Sequence, residues 1–206
     1  MDRSNVSSAV IRRLPRYYRY INELYLSGVA RVSSKALAER MGLTASQIRQ
    51  DLNCFGGFGQ QGYGYNVEHL KNELAAILKL DQSHTAIIIG AGNLGRALIN
   101  NFNFGKSGFS VLAAFDANPA MSDTKVGSTP VLHVSRLDEF LSRTTPDIAV
   151  LTLPKTEAQA MAKRLIEHGV RGLWNFTSDD LHIDNPDAVV ENVHFSESLM
   201  ILSYRI

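Results

Sequence analysis

The chain has 206 residues, a formal net charge of +1, 45% hydrophobic side chains and 20% charged side chains, a composition typical of a globular protein with one or two domains. Because it contains neither an apolar stretch long enough to cross a bilayer nor a secretory segment, we expect neither a membrane-spanning nor an exported protein. The single cysteine, Cys54, allows no internal disulfide, so we expect a cytoplasmic protein in which Cys54 is a small buried residue rather than a reactive thiol.

The charge is shared unevenly between the two parts of the chain. Residues 1–80 carry 11 Lys and Arg against 6 Asp and Glu (net +5), and residues 81–206 carry 10 against 14 (net −4). A basic domain joined to an acidic one indicates a polyanionic partner for the first part only. A merely solvated basic surface is the alternative interpretation.

Residues 1–80 are predicted to form a small helical domain. Apolar residues at helical spacing predict a helix over 11–26, followed by a short helix over 35–41 that Ser33 or Ser34 caps and Gly42 ends. Thr44 caps a third helix from Ala45 to about Cys54. A further helix is predicted over 67–80, and residues 81–83 form the predicted linker.

The second and third of these helices have the spacing of a helix-turn-helix, with Ala38, Gly42 and Ile48 at the turn and in the core. The third helix then presents polar side chains that suit base edges and phosphates, namely Thr44, Ser46, Gln47, Arg49 and Gln50. The glycine- and aromatic-rich segment 55–65 predicts a tight hairpin, the wing of a winged helix. An ordinary three-helix domain used for protein contacts is the alternative.

A dinucleotide fingerprint opens the second part of the chain. The buried strand predicted over 85–89 is followed by Gly90, Ala91, Gly92, Asn93, Leu94 and Gly95 and then by a helix. The first glycine makes the tight turn, the second admits a pyrophosphate, and the third lets helix and strand pack closely. The pyrophosphate is expected at the positive end of the helix.

Asp116 ends the next predicted strand, over 110–115, and lies 21 residues beyond Gly95. A dinucleotide domain places there the carboxylate that accepts the ribose hydroxyls. Asp116 would repel a 2′-phosphate and no Arg follows it closely, so NAD(H) is favoured over NADP(H). A loop-capping Asp is the alternative.

Further buried strands over 147–153 and 172–176, with a helix over 156–168 between them, predict a doubly wound parallel sheet, an α/β fold. Leu153-Pro154-Lys155 either borders the nicotinamide or is only a strand-to-helix turn. No catalytic constellation accompanies the cofactor site, and the six histidines show no metal-ligand spacing. We therefore predict no catalytic residue and no metal site.

The C-terminal segment, predicted to be an apolar helix over 193–204, would leave much apolar surface on a monomer. We expect a dimer contact, and core packing within the same chain is the alternative. The predicted organisation is thus a winged helix over 1–80, an NAD(H)-binding Rossmann domain over 84–190 and a dimerisation helix over 191–206.

With these residues assembled, the chain resembles the Rex family of redox-sensing transcriptional repressors over nearly its whole length. The matching segments are Arg13-Leu14-Pro15 with Tyr17-Tyr18-Arg19, Val32-Ser33-Ser34, Ile48 to Leu52, Phe55-Gly56 through Tyr65, the fingerprint through Leu98, Phe115-Asp116, and Asn192-Val193. The resemblance implies a homodimer that binds an inverted-repeat operator and is released by NADH, while NAD+ competes weakly or supports DNA binding. It also implies that each C-terminal helix is exchanged between subunits.

The sequence departs from the family pattern at three places. Gln60 and Gln61 stand at the wing tip where Lys or Arg is usual, and Asn101-Phe102 stand where a Tyr is frequent. His194 replaces an Asp that in relatives pairs across the dimer with the Arg matching Arg19. The glutamines should weaken phosphate attraction and its salt dependence, and Arg19 opposite His194 cannot form that ion pair.

The sequence therefore predicts an NADH-responsive DNA-binding repressor. Arg49 and Gln50 are predicted to contact bases, and the predicted DNA-contact set also contains Arg12, Arg13, Arg16, Ser33, Ser34, Thr44, Ser46, Gln47, Gln60 and Gln61. One alternative is a small NAD-dependent oxidoreductase with an accessory basic domain. The other is a DNA-binding protein whose Rossmann half serves only dimerisation.

Overall fold

The computed structural model describes residues 6–60 and 62–206. The chain forms two compact units, and the boundary between them falls between Gln82 and Ser83. Among the described residues, no helix is both long enough and apolar enough to span a membrane.

The first unit is a winged helix. Its elements, in chain order, are α1 Ser8–Leu26, β1 Arg31–Val32, α2 Ser34–Met41, α3 Ala45–Asn53, β2 Gly59–Gln60, β3 Gly64–Asn66 and α4 Val67–Ile77. The three short strands form an antiparallel sheet in the order β1-β3-β2, and β2 and β3 are the predicted wing hairpin. The prediction of a wing is confirmed, and the alternative of a plain three-helix domain is wrong.

The ends of α2 and α3 follow from local chemistry. The Ser33 hydroxyl accepts a hydrogen bond from the Ala36 N–H (3.0 Å), and the Thr44 hydroxyl accepts one from the Gln47 N–H (3.1 Å). Gly42 ends α2 in the left-handed region, with φ of 65°, a conformation that glycine adopts without strain. These caps fix the turn between the two helices.

Helix α4 ends at Ile77, three residues earlier than predicted. Lys79 adopts φ of 56°, and the Leu80 N–H bonds back to the Ala75 carbonyl (2.9 Å). This left-handed cap closes the helix although the apolar spacing continues through Leu80.

The core of the first unit joins α1, α3 and α4. Leu14, Tyr17 and Ile21 of α1 are buried against Ile48 and Leu52 of α3. Burial of these large side chains stabilises the unit by about 1.5–3 kcal/mol each. The same packing fixes α3 through its apolar face and leaves the opposite face of α3 exposed to solvent.

The second unit is a Rossmann-like α/β domain, as predicted. In chain order it contains β4 His84–Ile89, α5 Asn93–Asn101, β5 Phe109–Asp116, β6 Thr124–Val126, β7 Thr129–His133, α6 Leu137–Arg143, β8 Ile148–Leu151, α7 Lys155–Glu167, β9 Gly172–Asn175, β10 Val189–Asn192 and α8 Phe195–Arg205. The strand order is β10-β9-β8-β4-β5-β7-β6, with every pair parallel except β6 with β7. The order in which strands are added to the sheet reverses between β4 and β8, since the chain continues from β4 to β5 on one side and later adds β8 on the other. Ligands of such sheets bind outside the carboxyl ends of the strands at that point.

The central strands are apolar on both faces because helices cover both faces. Ile87 and Ile89 of β4 pack in a cluster with α6 and α7, and Ile88 packs in the opposite cluster, against which α5 lies. The apolar run Ala86–Ile89 therefore has no exposed side. This is the rigid base from which the glycine loop emerges.

Two predictions about single segments are corrected. Cys54 is exposed rather than buried, because it lies at the C-cap of α3, where the chain turns toward the wing. The strand predicted over 147–153 is limited to β8, because the chain leaves the sheet at Thr152 and Leu153 to enter α7.

Every residue of α8 is exposed, including Leu199 at 67%. Only the ring of Phe195, 6.0 Å from that of Phe176, gives the helix an aromatic contact among the described residues. The alternative that this tail packs into the core of its own chain is therefore wrong. Its apolar side chains remain available to another surface.

Candidate functional site: a dinucleotide loop and a nucleic-acid interface

Two glycines of the fingerprint are required by close approach. Gly90 has φ of 98°, and a Cβ on it would lie 2.6 Å from the Thr152 carbonyl oxygen. A Cβ on Gly95 would collide with the Gly90 carbonyl oxygen. A larger residue at Gly90 would push the loop away from Thr152, and one at Gly95 would push α5 away from the end of β4.

Gly92 has a different role. It has ordinary backbone angles (φ −69°), it is the N-cap of α5, and no side chain caps the helix there. A Cβ on Gly92 would meet nothing within 4 Å. The first turn of α5 therefore presents uncapped N–H groups, from Asn93 onward, to open space, as binding of a pyrophosphate requires.

Asp116 lies beside this loop at the carboxyl end of β5. One carboxylate oxygen accepts a hydrogen bond from the Ala91 N–H (2.6 Å), and the other accepts one from the Asn118 N–H (2.8 Å). The carboxylate thus joins the glycine loop to the loop after β5. It lies where a ribose diol would follow a pyrophosphate bound at α5, and it also caps its own loop.

Thr152, which the sequence reasoning missed, holds the loop from the opposite side. Its hydroxyl donates to the Gly90 carbonyl (2.7 Å) and lies 3.1 Å from the Ile89 carbonyl, which also accepts from the Thr152 N–H (2.9 Å). The sequence signal for Thr152 is its position directly after a buried strand, which here is β8, the neighbour of β4.

Arg96 is a second residue that the sequence reasoning missed. Its guanidinium donates to the Asn93 side-chain oxygen (2.8 Å) on the first turn of α5. This places a positive charge next to the uncapped N–H groups, and both favour the binding of an anion there. Lys155 is the first residue of α7, and its ammonium lies 3.7 Å from a carboxylate oxygen of Asp179.

Three of the predicted DNA-contact residues, Ser33, Ser34 and Arg49, line one cleft with the wing. The cleft, of about 620 Å³, is bordered by Ser33, Ser34, Arg49 and Asn53 and by wing residues Gly59, Gly62, Gly64 and Tyr65. Arg49 donates to the Ser34 hydroxyl (3.0 Å) across it. Thr44, Ser46 and Gln50 are exposed along the same helix, whereas Gln47 is half-buried.

The three predicted phosphate-binding arginines of α1 are not equivalent. Arg12 is exposed, with no hydrogen bond or ion pair to the described part of the chain. Arg16 donates to the Met41 carbonyl (2.6 Å) at the end of α2. Arg13 donates through Nε (2.6 Å) and Nη2 (2.9 Å) to Asp51, so its guanidinium is engaged within the unit, and its contact with a phosphate stays a prediction.

Asp51 is the buried partner of Arg13 and stays ionised. Burial alone would raise the pKa of Asp51, but hydrogen bonds from Arg13, Tyr17 and Gln47 outweigh it and hold that pKa below its usual range. Burial, followed by the hydrogen bond to Asp51, raises the pKa of Tyr17. The buried charge is compensated within the unit and presents no net repulsion to a polyanion.

His194 precedes α8 and pairs within its own chain. Its Nε2 lies 2.9 Å from a carboxylate oxygen of Asp180, and its side chain is 15% exposed. Hydrogen bonding to Asp180 raises the pKa of His194. At the wing, Gln60 lies in β2, and Gln61 lies outside the described residues.

Family models match both units of the chain. Residues 5–53 match a family described as "Putative DNA-binding protein N-terminus", and residues 81–179 match one described as "CoA binding domain". The first match contains α1 to α3, and the second contains the glycine loop, Asp116 and Thr152.

Curated relatives cover nearly the whole chain. A "Redox-sensing transcriptional repressor Rex" from Thermoanaerobacter pseudethanolicus is 52% identical over 99% of this chain and 91% of its own length. A protein of the same name from Clostridioides difficile is 50% identical over 99% of this chain and 97% of its own length.

Solved structures of RSP, a Rex-family repressor, have the same fold. RSP in complex with β-NAD+ and operator DNA matches with a TM-score of 0.93 at 52% identity, covering 98% of this chain and 93% of that one. RSP in complex with β-NADH matches with a TM-score of 0.90 at 49% identity, covering 98% and 95%.

Proposed function

Because the chain belongs to the Rex family of redox-sensing transcriptional repressors, we propose that it binds operator DNA as a homodimer and leaves it when NADH binds. It thereby couples transcription to the NADH/NAD+ ratio. The observation that carries this proposal is the uncapped α5 N-terminus with Asp116 beside it, in a chain that also contains a winged helix. A repressor of bacterial operators works in the cytoplasm.

The residues around the glycine loop have distinct roles in this proposal. The N–H groups at the start of α5 bind the pyrophosphate, and Arg96 adds a compensating charge. Asp116 accepts the hydroxyls of a ribose and disfavours a 2′-phosphate through like charge. NAD(H) is therefore the proposed ligand rather than NADP(H).

The winged helix supplies the DNA contacts. Arg49 and Gln50 on the exposed face of α3 contact base edges in the major groove. Ser33, Ser34 and Thr44 bind phosphates through hydroxyls and helix N-terminal N–H groups, and Arg12 adds a long-range attraction. Because Gln60 adds no positive charge to the wing, few counterions are released there and the salt dependence of binding is modest.

Release by NADH requires differential affinity. A ligand shifts an equilibrium between two dimer arrangements only by the ratio of its affinities for them. A shift from 1:99 to 99:1 needs a ratio of about 10⁴. NADH must therefore bind the arrangement that is incompetent for DNA more tightly than the competent one.

The exposed apolar side of α8 is proposed as the dimer contact, with each α8 lying against the partner subunit. The cofactor serves as a signal, not as a reagent. The enzyme alternative is disfavoured because the curated relatives that match over nearly the whole chain are named as repressors.

One titration tests the proposal. A duplex selected from a randomised inverted-repeat library is bound to the protein, and its fluorescence anisotropy is followed as NADH or NAD+ is added. Release by NADH alone is the expected result. Indifference to both nucleotides overturns the sensor, and substrate-dependent consumption of NADH would favour an oxidoreductase.

A further inference from the structure

A buried carboxylate fixes α3, the helix proposed to face DNA, to α1 on its opposite side. Asp51 of α3 is 1% exposed, and its two oxygens accept four hydrogen bonds. Oδ2 accepts from Arg13 Nε (2.6 Å) and from the Tyr17 hydroxyl (2.6 Å). Oδ1 accepts from Arg13 Nη2 (2.9 Å) and from Gln47 Nε2 (2.7 Å). Asp51 thus joins α1 to α3 and also binds a side chain one turn nearer the N-terminus of α3.

The chemistry of this contact fixes which end of the Gln47 amide faces Asp51. An ionised carboxylate only accepts hydrogen bonds, so the Gln47 atom 2.7 Å from it must be the NH₂ nitrogen. The reverse orientation would place two acceptor oxygens against each other. The side-chain carbonyl of Gln47 is therefore directed away from Asp51.

Gln47 is in the first turn of α3, between exposed Ser46 and buried Ile48, and is itself half-buried. N-terminal residues of a recognition helix are those that meet base edges. A glutamine whose amide rotates freely can offer either a donor or an acceptor to DNA. A glutamine held through its NH₂ group offers its carbonyl acceptor.

We propose that Asp51 is a positioning residue for sequence recognition, which fixes Gln47 so that its carbonyl oxygen faces the major groove and accepts from the exocyclic amino group of adenine or cytosine. Guanine and thymine present acceptors there and are disfavoured on the contacted strand. The proposal rests on the proposed function and specifies how the same interface selects its operator.

The test is a selection from a randomised inverted-repeat duplex library with the full-length protein and with Gln47→Ala, Asp51→Asn and the double variant. Gln47→Ala identifies the base pair in each half-site where the preference for adenine or cytosine depends on Gln47. Asp51→Asn is expected to reduce discrimination at that base pair about tenfold. In the Gln47→Ala background, Asp51→Asn should cause no further loss there.

Gln50→Ala is the matched control, because Gln50 is exposed on the same helix and makes no side-chain contact with Asp51 in the described structure. It should change preference at another base pair, and Asp51→Asn should leave that second preference intact. If Asp51→Asn keeps the wild-type preference at the Gln47 position, or weakens all positions equally, the proposal is wrong.

A second measurement keeps the proposal testable if Asp51→Asn unfolds the winged helix or if the wild type selects no DNA at all. The Gln47 side-chain NH₂ resonances, assigned with Gln47→Ala, are recorded by NMR in the wild-type protein. Slowed hydrogen exchange and a nuclear Overhauser contact to Asp51 support the positioning role, and free-amide behaviour overturns it. Absence of any selected DNA would refute the proposed function separately.

Discussion

Two aspartates show how differently the same side chain is used in the two units. Asp51 is buried, and all its acceptors are engaged by side chains of its own unit. Asp116 is half-buried at the edge of a sheet, and both its oxygens accept backbone N–H groups of loops. The first stabilises the helix that is proposed to contact DNA, whereas the second lies where a nucleotide is proposed to bind.

Replacing Asp116 separates ligand binding from DNA binding. Asp116→Ala should weaken NADH binding about 10- to 100-fold, because hydrogen bonds to a charged group contribute about 1.5–3 kcal/mol. Operator affinity without nucleotide should be unchanged. Calorimetry measures the affinity for NADH, and anisotropy measures the affinity for operator DNA. Asp184→Ala is the control, because Asp184 is an exposed acid. An equal loss of both affinities would mean that the ligand site lies elsewhere.

The His194–Asp180 pair predicts a defined pH dependence. Hydrogen bonding to Asp180 raises the pKa of His194 in the folded protein, so its stabilising effect is complete below the unfolded pKa of about 6.5. That effect is lost as the pH rises through the higher native pKa. NMR titration of the His194 ring in the wild type and in Asp180→Asn should show a lower pKa in the variant.

Asp184→Asn is the control for this titration, because Asp184 is an exposed acid nearby in sequence. It should leave the His194 titration unchanged. An identical His194 pKa in the wild type and in Asp180→Asn would contradict the assignment of the shift to this pair.

At the scale of elements, the junction of β4 and α5 depends on two glycines in different ways. Gly95→Ala should destabilise the second unit by about 1–3 kcal/mol, because its Cβ would collide with the Gly90 carbonyl. Gly92→Ala should leave stability nearly unchanged, because nothing lies within 4 Å of that Cβ. It should still weaken NADH binding, because the methyl group enters the space proposed for the pyrophosphate.

Thermal melts and NADH calorimetry on the two variants form a matched pair. A Gly92→Ala variant that binds NADH like the wild type would show that the pyrophosphate does not approach this part of the loop. A Gly95→Ala variant with unchanged melting would contradict the close packing of α5 on β4.

Elements with strong local signals could be predicted from the sequence. The Thr44 cap, a serine cap at 33 or 34, the wing and the buried strand β4 were all predicted, because side-chain chemistry or apolar runs within a few residues determine them. Strands β6, β7 and β10 and helix α6 were missed. The three strands are short segments at or next to a sheet edge, where pairing with a neighbour determines them. Helix α6 has only seven residues, too few to show a clear helical period.

The site was predictable to a similar extent. The glycine run and Asp116 have a fixed spacing, so both could be located, whereas Thr152 contacts Gly90 from 62 residues away. Arg13 likewise pairs with Asp51, which lies 38 residues later in the chain. No local pattern reveals such long-range pairs.

At the scale of the whole molecule, the exposed side of α8 predicts that the oligomeric state can be changed by one residue. Leu199→Glu should shift the protein toward monomer, because burying an uncompensated carboxylate in an apolar contact is strongly unfavourable. Affinity for an inverted-repeat duplex should fall with it, since each subunit then binds only a half-site. Analytical ultracentrifugation and anisotropy measure both effects.

Ser203→Glu adds the same charge to α8 at a position that is already polar and serves as the control. It should remain dimeric. If Leu199→Glu also remains a dimer with full operator affinity, another surface joins the subunits.

The hydrogen bonds that hold the glycine loop from both sides have a consequence for the switch. The Ala91 N–H donates to Asp116, and the Gly90 carbonyl accepts from Thr152. A loop that is preorganised in this way loses little conformational entropy when the ligand arrives. Only the difference between the free energies of NADH binding to the two subunit arrangements can displace one in favour of the other, and through that difference a small molecule acts on a much larger protein–DNA contact.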